Sequence, residues 1–361
     1  MPYPHIITIT TDNPKTKYSQ KELSFISSSS TENLEIQQKI QDIYANSKIT
    51  LRYLDSLDFY NKNKNAKIDE RLESFKTKST DLIVNMVETA FKQSNLTNQD
   101  IHKIIFVSST GILAPSIDVE IIKKLKLPNT TDRSNIFFMG CAAGVIGIKN
   151  ACEYLQLDTN KNKNVLLICA ELSSSHIHFS EDINNIITHS IFSDGLAVVI
   201  LSSTEQKKDI NNTVSVVDTF NYLIDNTEDG ITLSINENAI SCTLSKNLPK
   251  YIRDNISNVL DLFLEKNNLS FSDIDFWAVH PGGKRIIESV QTALQLTDEQ
   301  TQVSWDILDN YGNMLSASIM FVLKEFINSK NNINKKITYC VAFSFSPGVG
   351  IEFVLLKKHI V

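Results

Sequence analysis

The sequence predicts an α/β fold in which a buried sheet, mixed or parallel, is covered by helices, and three observations carry that prediction. Strand-like apolar runs alternate with segments of helical period. A length of 361 residues, 42% hydrophobic and 21% charged, fits a globular chain large enough for two domains or one duplicated fold. The rhythm then restarts after a polar stretch at 204–213, which sets a boundary between halves 1–205 and 206–361.

In chain order, residues 35–54 and 69–93 place apolar side chains at helical spacing and read as amphipathic helices, with a charged, solvated loop at 61–67 between them. IIFVSST (104–110), NIFFMG (135–140), NVLLICAE (164–171) and LAVVILSS (196–203) are short, continuous apolar runs, as buried strands are. In the second half, TVSVVDTF (213–220) is strand-like, a helix is expected over 251–266, and the strand DFWAVH (275–280) ends on a histidine. Another helix, the segment YGNMLSASIMFVLKEF (311–326) and two closing strands, TYCVAFSF and GIEFVLL, complete the chain. The halves share this order of elements without a visible sequence repeat.

A formal charge of -6 argues against the clustered cations that phosphate-backbone binding needs, so no nucleic-acid partner is expected. The N-terminal segment carries Asp12, Lys15, Lys17, Lys21 and Glu22 where a secretory signal would be apolar, and no stretch approaches a membrane span. Cys141, Cys152, Cys169, Cys242 and Cys340 are odd in number and form no CxxC pair, which fits a reducing cytoplasm better than a disulfide framework or a zinc site. With no ligand cluster and no GxGxxG turn, neither a metal nor a nicotinamide cofactor is expected.

Three motifs carry chemistry. In FFMGCAAGVIGIKNACEYL a buried strand runs into a helix that starts near Cys141, and a helix N-terminus favours a thiolate nucleophile. In DFWAVHPGGKRII, His280 closes a strand and Pro281, Gly282 and Gly283 force a turn at the sheet edge where α/β proteins place ligands. In NYGNMLSASIMFVL, Asn313 follows a glycine turn and opens a helix with small residues on one face. Alone, each has an ordinary structural explanation: a packed cysteine, a turn-satisfying histidine, an N-cap. Together they form a chemically complete set.

With these motifs the chain resembles the type III polyketide synthases, the chalcone synthase family, over about residues 35–356, and SIFSDGLAVVIL (190–201) and FSFSPGVGIEFVLL (343–356) extend the match. The resemblance implies the duplicated five-layer αβαβα thiolase fold, working as a homodimer without a resident cofactor. It implies that Cys141 carries an acyl starter, that His280 and Asn313 stabilise the enolate left when malonyl-CoA loses carbon dioxide, and that Phe192 is a gatekeeper. It also implies that the starter arrives as an acyl-CoA or on an acyl carrier protein.

Departures from the family shape the expectation. A second gatekeeper phenylalanine corresponds to Cys242, and two of three coenzyme A-binding cations correspond to Asp42 and Asn46, leaving Lys39; Lys284 and Arg285 are then candidates for the tunnel entrance. Bulky Leu233, Leu315 and His176 stand where the family has smaller residues, which implies a small pocket and a short product, a pyrone or a small ring. The rivals are an initiating ketoacyl-carrier-protein synthase, which usually has an Asn shortly after its His where this chain has Pro281–Lys284, and a hydroxymethylglutaryl-type synthase, for which no general-acid Glu is assigned. A catalytically silent thiolase-fold partner subunit is the third.

Overall fold

The structure, a computed structural model, describes residues 3–55, 57, 59, 66–178, 180–204, 214–329 and 337–359. The first half comprises β1 (His5–Asp12), β2 (Lys17–Ser19), α1 (Gln20–Ser28), α2 (Leu34–Ala45), β3 (Leu51–Tyr53), α3 (Ile68–Ser94), β4 (Lys103–Ser108), α4 (Ile117–Leu125), β5 (Asp132–Phe137), α5 (Ala143–Leu155), β6 (Asn164–Leu172), α6 (Ile183–Ile191) and β7 (Asp194–Ser202). The second comprises β8 (Val214–Leu223), β9 (Ile231–Ile235), β10 (Ile240–Leu244), α7 (Leu248–Lys266), β11 (Ile274–Val279), α8 (Lys284–Leu294), α9 (Asp298–Tyr311), α10 (Ser318–Asn328), β12 (Ile337–Ser346) and β13 (Gly350–His359). Most of the loop expected at 61–67 and the 205/206 boundary lie outside the described residues. The helix expected over 35–54 stops at Ala45: Asn46 caps it, Lys48 takes a left-handed backbone (φ 60°), and the chain turns into β3.

Among the described residues nine strands form one sheet in the order β11-β12-β13-β8-β1-β7-β6-β4-β5. Its two wings repeat one plan. In the first, β4 runs parallel to β6, and β6–β7 and β7–β1 are antiparallel. In the second, β11 runs parallel to β12, and β12–β13 and β13–β8 are antiparallel. Among the described residues two pairs, His5–Ser215 and Ile6–Val214, join β1 to β8. Strand β5 extends the first wing with no counterpart in the second.

Side-chain alternation along the strands turns this sheet into layers, because successive residues point to opposite faces. Ile105, Val107, Leu167 and Val199 of one wing and Cys340, Ala342 and Val354 of the other enclose α5 and α10 in a common core. Their strand neighbours face outward: Ile104, Phe106 and Val198 pack on α3 and α4, and Val279, Val341 and Phe353 on α7 and α8. The sequence from outside to outside is helix, sheet, helix, sheet, helix. Burial on both faces is why these strands read as unbroken apolar runs. Lys358, buried on β13, stays charged-compatible by donating its Nζ to the carbonyls of Ile327 (2.8 Å) and Ser329 (3.0 Å) at the C-terminal end of α10.

Candidate active site

The two central helices present matching ends to one spot. Cys141 lies in the tight turn Gly140–Ala142 just before α5, and Asn313 lies before the corresponding turn Leu315–Ala317 that leads into α10. Close approach of the two requires glycine at 144, where a Cβ would stand 2.5 Å from the Ser316 carbonyl oxygen. Gly312, at φ 70°, makes the turn that delivers Asn313.

Asn313 is held on every side. Its N–H donates to the Ile191 carbonyl and its carbonyl accepts from Ser193 N–H, each at 2.8 Å, which bridges it to Phe192. Its Oδ1 accepts from Leu315 N–H (2.9 Å) and its Nδ2 donates to the Gly282 carbonyl (3.1 Å), which fixes the amide orientation and leaves Nδ2 3.7 Å from Cys141 Sγ. His280 follows β11, anchored by its N–H to the Phe343 carbonyl at 3.1 Å. It is 1% exposed, and neither ring nitrogen has a hydrogen-bond partner of ordinary geometry, although Asn313 is close enough to favour its charged form.

Burial governs the charges here. Cys141 is partly open to the chamber, yet desolvation pushes its thiol up to about 12, with Asn313 pulling the other way. Desolvation also pushes His280 down to about 3. Both shifts favour thiol and neutral imidazole over the charged pair, against the pull of the helix N-terminus toward thiolate.

Two chambers meet at this point. The inner one is bounded by Cys141, His280, Asn313 and apolar side chains such as Leu244 and Phe345. The outer one lies against α6 and the turn after β6. Phe192, Leu233, Cys242 and Leu315 line both. Leu233 and Cys242 are paired across the β9–β10 hairpin, so one side of the common wall is a two-stranded flap. Leu315 sits in the left-handed region (φ 47°), a strained conformation for a branched residue. His176 lines the outer chamber as well, but as a fixed part of its wall: Ile240 N–H donates to its Nδ1 (3.2 Å) and its Nε2–H donates to the Thr110 carbonyl (2.7 Å). With burial pushing it down to about 4, this histidine is neutral.

The expected entrance cations are elsewhere than on the chamber walls. Lys39 is paired with Glu35 at 2.6 Å on α2. Lys284 and Arg285 begin α8, flanked in sequence by Gly282 and Ile286, which do line the inner chamber.

Sequence reasoning missed Glu171, whose signal was a charge inside the apolar run of β6. Its carboxylate accepts from Ser316 Oγ (2.5 Å), Thr110 Oγ1 (2.7 Å) and Ser109 N–H (3.0 Å), tying the base of the Asn313 turn to β4. Burial nonetheless pushes it up to about 7. A carboxyl whose folded pKa is raised costs stability as pH climbs from the ordinary carboxylate range to that value, here by about 3 kcal/mol at most. Glu171→Gln should flatten that decline. Asp194, likewise raised to about 7, leaves a residual slope. Urea midpoints taken at about pH 5 and about pH 8 check this, and equal declines in both proteins would refute it.

Comparison with known proteins follows the same geometry. A family model for FAE1/type III polyketide synthase-like proteins matches residues 11–262, and one for the C-terminal domain of chalcone and stilbene synthases matches 215–360. The chain is 37% identical to the alpha-pyrone synthesis polyketide synthase-like Pks18 of Mycobacterium tuberculosis, across 88% of this chain and 82% of that protein. The chain belongs to the type III polyketide synthase family. Its fold is shared with the crystal structure of PKS-I from the brown alga Ectocarpus siliculosus, at 41% identity and a TM-score of 0.93 over 99% of both chains. The C-terminal type III polyketide synthase domain of Steely1, a type I/III hybrid from Dictyostelium, superposes with a TM-score of 0.90 at 26% identity, over 99% of this chain and 100% of that one. This type III polyketide synthase is accordingly a condensing enzyme of thiolase-like fold, in a family that uses acyl-CoA and malonyl-CoA. Among the described residues no helix is long and apolar enough to cross a membrane.

Proposed function

We propose that this synthase performs decarboxylative Claisen condensation on Cys141, with His280 and Asn313 as its two polar partners, and releases a short polyketide of the pyrone or small-ring kind. One observation carries the reading: a thiol, an amide Nδ2 at 3.7 Å and a buried imidazole with no hydrogen-bond partner line one apolar chamber. Cys141 Sγ attacks the starter thioester and its proton passes to His280, so the charged pair forms together and the leaving thiol takes the proton. When a malonyl thioester follows, N–H groups of His280 and Asn313 donate to its carbonyl oxygen and stabilise the enolate as carbon dioxide leaves. The enolate carbon then attacks the acyl group and expels Cys141 thiolate. Phe192 and the aliphatic lining keep water out and favour loss of the charged carboxylate as neutral carbon dioxide.

These steps exchange thioesters without net redox change, so the reading calls for no resident cofactor. Starters on coenzyme A or on a carrier protein, a homodimeric state and a cytoplasmic setting belong to the same proposal. Relatives named for alpha-pyrone synthesis support a short product, as do the bulky Leu233 and Leu315, which line both chambers. Mass spectrometry of products from purified protein, malonyl-CoA and a panel of acyl thioesters tests the reading directly. Leu233→Gly combined with Leu315→Ser should then yield chains at least one extension longer from the same starter, because a packed wall does not otherwise give way. Unchanged chain length in a folded, active double variant would show that these leucines do not set the limit.

A further inference from the structure

We propose that the outer chamber is a recognition subsite for the far end of the starter acyl group, and that this end carries a carboxylate. The inference rests on the reading of Cys141 as the acyl carrier.

The two chambers differ in chemistry. Beyond its reacting groups, the inner one is walled by Leu244, Leu248, Ile286 and Phe345, which suits a hydrocarbon segment and a thioester. The outer one adds Ser109, Thr110, Ser173, Thr188 and three histidines to its lining, although most of the surface it presents is still apolar. Ser173 is 6% exposed, and its buried Oγ has no partner. His178 donates from Nδ1 to the His176 carbonyl at 3.1 Å, and its ring meets His189 edge-on at 5.2 Å between centroids. Among the described residues no Asp or Glu lines either chamber.

Behind this wall stand two buried guanidinium groups. Arg71 donates to the carbonyls of Ser175 (2.8 Å) and Ile177 (3.2 Å), which flank His176, and its buried Nη2 has no partner. Arg52 donates to the carbonyls of His189 (2.5 Å) and Phe192 (2.9 Å). Neither is ion-paired with a carboxylate among the described residues. Their positive field reaches the chamber, since both contribute to holding His189 down to about 3 after burial itself. An alkyl terminus would cover Ser173 Oγ and two imidazoles while giving them nothing to bond, whereas a carboxylate accepts from all three and meets the positive field of Arg52 and Arg71, which Asp194 and Glu70 offset without a direct ion pair.

The test compares hexanoyl-, ω-hydroxyhexanoyl- and adipyl-coenzyme A, equal in chain length, each with malonyl-CoA and the purified protein. Acylation of Cys141 is read by intact-protein mass and product formation by kcat/KM. Adipyl-CoA should exceed hexanoyl-CoA in kcat/KM by about tenfold or more, with the hydroxy starter between them. Ser173→Ala and His189→Phe should each reduce the adipyl-to-hexanoyl ratio, mainly through KM. Ser173→Ala removes a single buried oxygen, so it decides the matter if the His189 variant does not fold. Equal or greater use of hexanoyl-CoA, or a ratio unchanged in the variants, overturns the carboxylate subsite and leaves the condensing enzyme intact. Failure of every thioester to acylate Cys141 overturns the underlying reading, and the subsite with it.

Discussion

Replacing Cys141 with alanine will abolish acyl-enzyme formation and condensation, while malonyl thioester decarboxylation persists at a reduced rate. The asymmetry follows from the hydrogen bonds. Asn313 is oriented by Leu315 N–H and the Gly282 carbonyl, and His280 by its own N–H to Phe343, so neither depends on the thiol for its position. Alanine removes one atom from a chamber whose other polar groups stay in place. The loss in product formation should exceed about 10⁴-fold, as expected when a covalent step has no substitute nucleophile. Cys242 lines the same chamber from the flap, where burial raises its thiol as well, and no hydrogen bond to Asn313 is formed from it among the described residues. Full-length product from Cys141→Ala would show that another residue carries the chain.

His280→Ala and Asn313→Ala should each lower decarboxylation itself by about 10²–10³-fold, the usual effect of losing one donor to a developing oxyanion. The two variants should differ in a second measurement. His280→Ala removes the proton acceptor as well, so iodoacetamide labelling of Cys141, already opposed by a thiol pKa near 12, should slow further. Asn313→Ala leaves that acceptor but unties the Gly282 turn and the Leu315 N–H, so part of its effect is positional. Decarboxylation at the unaltered rate in either variant would remove that residue from the enolate site.

Most of the architecture was legible because the strands are buried on both faces and therefore announce themselves as unbroken apolar runs. The pairing of Cys141, His280 and Asn313 in one chamber was legible too, since each sits at a glycine-marked turn, although the turn at Asn313 joins two helices, α9 and α10, and not the strand and helix expected. What lay beyond reach depends on three-dimensional reach and on charge cancellation. Helix α2 ended early because of a left-handed residue, Lys48, that no pattern marks. Glu171 is one letter in a strand until its donors arrive from β4 and the turn before α10. His176 read as bulk against the pocket, whereas its two hydrogen bonds make it a strut between the flap and the Thr110 turn. The outer histidines and the arginines behind them come from four separate segments, the turn after β6, α6, β3 and α3, which composition cannot bring together.

The bridge between Phe192 and Asn313 also bears on how the molecule reaches its active state. Cys141 and Asn313 are 172 residues apart in the chain, and β1 pairs with β7 and β8, both far from it in sequence. Contacts of such high sequence separation close late, after local helices have formed. During refolding, helical signal should therefore return well before enzymatic competence, and the last event to complete will be the docking of one wing against the other that brings the amide to the sulfur.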